Sequence, residues 1–308
     1  MIGFIARRVV LMLITLFIIV SATWFLMQLL PGSPFNAEKL SAEQEAIMNE
    51  RYGLDEPLLV QYGRYMLNVA HGDLGVSFYY ENQPVSDIIA SRLPVSTFLG
   101  VQAIIFGTAA GLLLGAVGAM RHNTWADSGS VILAVLGKSF PNFVFAAILQ
   151  YLLGFKLQWL PQAGFDSYVF SILPSLALSV FVIAIVARFI RSEMLEVLGQ
   201  DYVTLAKSKG ISQSTLVIRH VLKNSLIPII TILGPLIVSL VTGSLVVEQI
   251  FAIPGIGNQF VNSIFENDYS MILGTTIFFA ALFIVSILIQ DILYTIVDPR
   301  MRLAGAKE

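Results

Sequence analysis

Gly137-Lys138-Ser139 has the ending of a phosphate-binding loop, in which backbone amides cradle phosphates and the lysine neutralises them. That loop needs a glycine where Ile132 stands and a strand before it, whereas Lys138 interrupts a long apolar run. A nucleotide site of this kind is excluded, so any ATP hydrolysis that drives the chain must belong to another polypeptide. His71, His122 and His220 stand on separate segments, and neither a His-Glu-x-x-His nor a Gly-x-Ser-x-Gly pattern occurs. No catalytic residue, metal site or cofactor is expected. Lys138 and Asp291 are ionisable groups inside apolar runs, a placement that points to function. Asp291 is close enough to its run's end to snorkel, which leaves Lys138 as the candidate for a transport pathway.

The densest polar stretch is Arg188–Ser225, between two apolar runs. At its centre, Asp201-Tyr202-Val203-Thr204-Leu205-Ala206-Lys207-Ser208-Lys209-Gly210 carries a full set of helix signals. Asp201 is placed to N-cap, Lys207 and Lys209 fall in the last turn, and Gly210 can take the left-handed position after it. The helix so specified is about 12 Å long at ~1.5 Å per residue, too short to be stable unless it packs against something. Ser212 offers a second cap, for a helix over Gln213–Asn224 that carries Arg219, His220 and Lys223. A solvated linker needs no such start and stop signals; they favour a docking element that passes force to a partner.

The elements that hold these residues are greasy. Of 308 residues 56% are hydrophobic and 12% charged, with mean hydropathy +0.79, against about 25% charged in soluble domains. A net charge of −2 without a basic run gives no footprint for nucleic acid, and the absence of cysteine removes disulfide and thiol chemistry. Six apolar runs reach spanning length: Val9–Leu30, Val95–Met120, Ser128–Leu153, Val169–Ala187, Ser225–Val247 and Met271–Val297. None alternates as a barrel strand would, so the fold class is all-α, a polytopic membrane protein with six transmembrane helices. The first run is too long for a signal peptide and reads as an uncleaved span. Gly107, Gly111 and Gly115 put small residues on one face of the second, where another helix can approach closely and which places that span centrally. Pro141, Pro174, Pro228 and Pro235 interrupt spans and can mark hinges.

Twelve of the eighteen lysines and arginines fall on the side that holds both termini and the 188–225 insert, and thirteen of the twenty acids on the other. Both termini and the insert are therefore expected in the cytoplasm. The outer segment Pro31–Pro94 is long enough to fold as a small cap around a break at Tyr52–Asp55. In the outer segment Glu248–Ser270, Phe251-Ala252-Ile253-Pro254-Gly255-Ile256-Gly257 suggests irregular backbone dipping towards the membrane. The resulting division is 1–94, a first span with a long extracytoplasmic loop; 95–298, a transmembrane core with the loop 188–225; and 299–308, a cytoplasmic tail.

These residues resemble a known family. The Asp201–Gly210 helix, Arg219-His220 and Asn224…Pro228 look like the coupling loop of ABC-importer permeases. The whole chain is similar to the B-type permease subunit of bacterial oligopeptide and dipeptide importers. The stretches that match, in order, are Leu30-Pro31-Gly32-Ser33-Pro34, Tyr52 to Leu58, Gly72-Asp73-Leu74-Gly75, Pro84-Val85, Arg92-Leu93-Pro94, Asp201-Tyr202, Phe251 to Gly257, Asp268-Tyr269 and Asp298-Pro299-Arg300. Where the wider superfamily has Glu-Ala-Ala, this chain has Thr204-Leu205-Ala206, which suits the peptide branch; Lys138 stands where that family has a small or apolar residue.

The resemblance implies a type I ABC-importer permease fold in a bacterial cell membrane, forming half of a pathway for oligopeptides or dipeptides. The implied partners are a second homologous permease subunit, two cytoplasmic ATP-binding subunits, an extracytoplasmic peptide-binding protein and the lipid bilayer. Thr204, Leu205, Ala206, Lys207, Gly210, Arg219 and His220 would couple to an ATPase. Phe251, Pro254, Gly255 and Gly257 would serve the outer gate or the binding protein. Importers of nickel, metal-chelator complexes, glutathione or antimicrobial peptides share this pattern, because selection rests largely with the binding protein. A stand-alone secondary transporter is the reading of another class, and an integral-membrane enzyme a third; the first would usually show internal repeats or several intramembrane charges.

Overall fold

The structure is a computed structural model and describes residues 2–29, 53, 55–241 and 244–297. The stretch Leu30–Pro34, Tyr52 and Leu54 of Tyr52–Asp55, and Asp298–Arg300 lie outside the described residues, as do the side chains of Asp291, Pro228 and Pro235. The described residues form two compact units, one of 2–95 with 254–285, the other of 96–253 with 286–297.

In the first unit, helix α1 (Ile2–Gln28) presents Trp24 and Met27 to Ile272 and Leu273. Tyr62 and Tyr65 of α2 (Leu58–Ala70) close the cluster, and the Tyr62 hydroxyl lies 2.6 Å from Ser21 Oγ. A two-stranded hairpin follows, β1 (Val76–Ser77) against β2 (Gln83–Pro84). Its turn places Glu81 and Asn82 in the left-handed region. Helix α3 (Val85–Met120) begins well before its apolar run and continues through Pro94. Its first turns pack Val85, Ile88 and Ile89 on Ile256 and Met271.

The second unit is built on α6 (Ile172–Leu198), after α4 (Trp125–Ser139) and α5 (Asn142–Leu149, running on as a π-helix over Gln150–Lys156). The glycine face of α3 lies against α6. A Cβ on Gly111 would sit 2.7 Å from Val186 Cβ, and one on Gly115 2.5 Å from the Ala187 carbonyl oxygen. Yet the more enclosed helix is α6. Residues over 56% of its most apolar window are buried, against 33% for α3. The glycines mark where α3 is approached by α6.

Among the described residues, four of the six expected spans appear as continuous helices long and apolar enough to cross, Ala6–Gln28, Val85–Met120, Tyr168–Leu198 and Tyr269–Ile289, with a fifth where a bent pair makes one span. The third apolar run, Ser128–Leu153, is not one rod: it is the pair α4 and α5, bent by 102°. Pro141 explains the bend. Proline disfavours helical backbone in the residue before it, and Phe140 is extended (φ −96°, ψ 135°). The fifth run contains α9 (Ile227–Val241), whose 15 residues cover about 22 Å at ~1.5 Å each, and residues 242–243 after it lie outside the described residues.

Candidate functional site

The polar insert folds as two short helices after α6. Helix α7 (Asp201–Ser208) starts one residue earlier than expected. Its N-cap is Gln200, which is extended and makes no side-chain cap bond, so Asp201 is the first helical residue and not the cap. The Gln200 carbonyl accepts from the Val203 and Thr204 amides at 3.1 and 3.2 Å, and the Asp201 carboxylate still faces the positive end of the helix dipole. The other end is as the sequence demands. Gly210 has φ +76°, the Gly210 amide donates to the Lys207 carbonyl at 3.0 Å, and the Ile211 amide reaches back to the Ala206 carbonyl at 3.4 Å. These two bonds close the helix in a Schellman motif.

Helix α8 (Gln213–Leu216) is capped by Ser212 Oγ, which accepts from the Thr215 amide at 3.4 Å. It continues through a π-helical stretch (Val217–Leu222) into a last turn (Lys223–Ser225). Asn224 Nδ2 donates to the Tyr202 hydroxyl at 3.0 Å and ties the two helices together.

The expected docking residues divide by face. Val203 and Ala206, one turn apart, are buried against their own chain, so Ala206 seats the helix instead of presenting itself outward. Thr204, Leu205, Lys207 and Gly210 face out, and Leu205 keeps 57% of its surface exposed. Arg219 is exposed and His220 half-buried on the π-helical stretch. Arg219, Ile218 and Leu222 line an open groove of about 650 Å³.

Under this insert lies a polar cluster that sequence reasoning missed. Asp127, in the first turn of α4, is buried, and Arg191 near the end of α6 grips both its oxygens, Nε to Oδ1 at 2.5 Å and Nη2 to Oδ2 at 2.9 Å. His122 Nδ1 sits 2.9 Å from Oδ2, and the Asn123 amide donates to it at 3.0 Å. An aspartate ahead of an apolar run is the only trace of this in the sequence; its partner is 64 residues away.

Lys138 lies in the last turn of α4, beside a cavity of about 720 Å³ between α4 and α6 and a smaller one of about 340 Å³ at the Phe140–Pro141 bend.

The expected gate residues are packed inside their own units. Phe251 is buried at the end of α10 (Leu245–Ile250), followed by Ala252 in the left-handed region (φ +50°). The Ala252 and Ile253 amides donate to the Gln249 and Glu248 carbonyls at 3.2 and 2.9 Å. The Ile250 carbonyl accepts from Gln150 Nε2 and the Phe251 carbonyl from the Gly164 amide, at 2.9 and 2.8 Å. In the other unit, Gly255 caps α11 (Ile256–Phe265) through its carbonyl, Gly257 is buried within that helix, and Pro254 is half-buried. The irregular backbone is thus a satisfied turn between short helices.

Asp268, in the motif Asp268-Tyr269, caps α12 (Tyr269–Val297) by accepting from the Met271 amide at 3.2 Å, and Ser77 donates to its other oxygen. The motifs Gly72–Gly75 and Asp268-Tyr269 therefore meet: Gly75 (φ +84°) approaches Ser270, and its carbonyl accepts from the Val85 amide at 3.0 Å. Burial raises the Asp268 carboxyl above its ordinary value against these donors, and burial also raises Glu266, which in turn raises the Tyr79 hydroxyl. A carboxyl raised on folding binds more protons folded than unfolded, so its effect on stability becomes less favourable as pH climbs from the unfolded value through the folded one. The melting temperature of the wild-type subunit is expected to fall between pH 4 and neutrality by more than that of Asp268→Asn, measured by thermal denaturation in detergent.

Comparison with known proteins gives two family matches, "Binding-protein-dependent transport system inner membrane component" over residues 107–303 and the corresponding N-terminal family over residues 1–100. The dipeptide transport system permease protein DppB of Lactococcus lactis is 48% identical over 303 residues, 98% of this chain and 100% of the relative. DppB of Bacillus subtilis is 41% identical over 290 residues, 94% of each chain. The oligopeptide transport system permease protein OppB of Escherichia coli is 40% identical over 305 residues, 98% of this chain and 100% of the relative. A solved amino acid ABC transporter with histidines superposes with a TM-score of 0.51 at 17% identity, covering 70% of this chain and 94% of that one; at that identity it speaks for the fold alone.

Proposed function

This chain belongs to the family of inner-membrane components of binding-protein-dependent transport systems, and we propose that it forms half of the pathway of an ATP-driven importer of dipeptides or oligopeptides. It is a multi-pass membrane permease subunit. The observation that carries the substrate class is end-to-end similarity to dipeptide and oligopeptide permeases, 94% or more of the chain in each comparison. Its partners in this reading are a second homologous permease, two cytoplasmic ATP-binding subunits and an extracytoplasmic peptide-binding protein, with both termini and the 188–225 loop in the cytoplasm.

The mechanical reading follows from the insert. An exposed, capped helix offers Leu205 with Thr204 and Lys207 beside it, and Gly210 ends it so that Arg219 and His220 can lie alongside. Docked in an ATPase, α7 would move when ATP closes the two ATPases, and α6, joined to it by two residues, would carry that motion into the bundle. ATP then favours one state of the pathway through contacts made better in that state, and hydrolysis resets it. The outer segments would close the external mouth and receive the binding protein.

The test is to purify the assembly through a tag on this chain and reconstitute it in vesicles. The expected outcome is that ATPase subunits and a second permease come with it and that peptide enters only with ATP and binding protein. Peptide transport by the isolated chain without ATP would contradict the reading.

A further inference from the structure

The cavity between α4 and α6 has a charge pattern that the coupling role does not use. Lys138 and Arg188 line it, as does Glu193. None of the three side chains makes a hydrogen bond or ion pair with another described residue; Lys138 interrupts an apolar run, where an uncompensated charge is costly, and Arg188 and Glu193 follow the fourth apolar run at the start of the 188–225 insert. Arg188 and Glu193 are five residues apart on α6, about 7.5 Å of helix rise. Both line the same cavity, so a short zwitterion in it would place its carboxylate on the two cations and its ammonium on Glu193. Lys138 and Ser139 are shared with the smaller cavity, where Phe140, Phe181 and Leu236 form an apolar wall suited to a side chain.

We propose that these two cavities form a peptide-terminus subsite at the cytoplasmic end of the spans, in which Lys138 and Arg188 take the free carboxylate of the cargo and Glu193 its free ammonium. The assignment rests on the peptide reading above and adds to it a place where the permease itself recognises the cargo. The bend at Phe140–Pro141 would form the floor of the side-chain lobe.

The experiment uses the reconstituted complex, with binding protein preloaded separately with a free dipeptide, its C-terminal amide and its N-acetyl form, so that delivery is equal. The wild-type complex is expected to prefer the free dipeptide over the amide by about tenfold, the range of one or two charge-assisted hydrogen bonds. Lys138→Met and Arg188→Gln should each remove most of that preference and leave the preference over the N-acetyl form. Glu193→Gln should do the reverse, and Lys138→Arg should keep both, which separates lost recognition from lost folding. Unchanged ratios in Lys138→Met and Arg188→Gln would overturn the subsite. So would uptake that follows anionic lipid content through Lys138 at an unchanged ratio, since the cavity would then hold a lipid headgroup. A wild-type complex that moves no peptide would instead sink the peptide reading itself.

Discussion

Gly210→Pro is expected to abolish both peptide uptake and the stimulation of ATP hydrolysis by substrate, while the subunit still inserts and assembles in the membrane. Gly210 stands at φ +76°, and proline is held near −65°, so the helix end cannot keep its shape. Proline also deletes the amide that donates to the Lys207 carbonyl, one of the two bonds that close α7. Losing that closure is enough to unseat an eight-residue helix that is marginal by itself. Because the insert stands outside the packed spans, the loss should fall on coupling and not on folding. Gly210→Ala, which strains the same position without removing the amide, should keep part of the activity. Uptake assays and ATPase measurements on the same vesicles read both outcomes; wild-type rates in the proline variant would show that α7 is not the transmitting element.

Asp127→Ala should destabilise the subunit by about 3 kcal/mol, near the lower end of what breaking a buried ion pair costs. It leaves the Arg191 guanidinium without its two-pronged partner at the base of the insert. The lower end is appropriate because Arg191 keeps 26% of its side chain exposed, where water can replace the lost contact. Removing both charges avoids the stranded cation, so Asp127→Ala with Arg191→Leu is expected to recover most of the stability. If the pair also holds α6 in register with α4, the double variant will melt near wild type yet import slowly. Equal melting temperatures for Asp127→Ala and wild type would show that the pair contributes nothing to folding.

How much of this was legible beforehand depends on the kind of signal. Helix ends written locally were readable: Gly210 and Ser212 do in the structure what their residue types suggest. Asp201 was misplaced by one residue because two neighbouring polar residues can each begin a helix, and the backbone chose Gln200. Apolar runs gave the all-helical membrane class, and Pro141 marked a possible hinge but not a bend of 102°, since an apolar stretch looks the same straight or folded back. The glycine spacing identified a face of close approach without revealing that its partner α6 is the more enclosed helix. Contacts between distant residues were not readable at all. Arg191 with Asp127, and Ser77 with Asp268, are brought together only by the tertiary fold, and one sequence contains no pairing information for them. The gate residues show the same limit from another side. Pro254 and Gly255 mark a break in the chain, but composition alone does not say that the break is packed inside.

The direct test of the central claim, that a helix on the inner face is the handle by which a separate ATPase moves these spans, uses the absence of native cysteine. Leu205→Cys puts a single thiol on the outward face of α7, where the native side chain is 57% exposed. A membrane-impermeant thiol reagent should reach it only from the cytoplasmic side, and bound ATPase subunits should shield it and cross-link to it. Labelling from the external side, or labelling that ATPase binding leaves unchanged, would contradict the account.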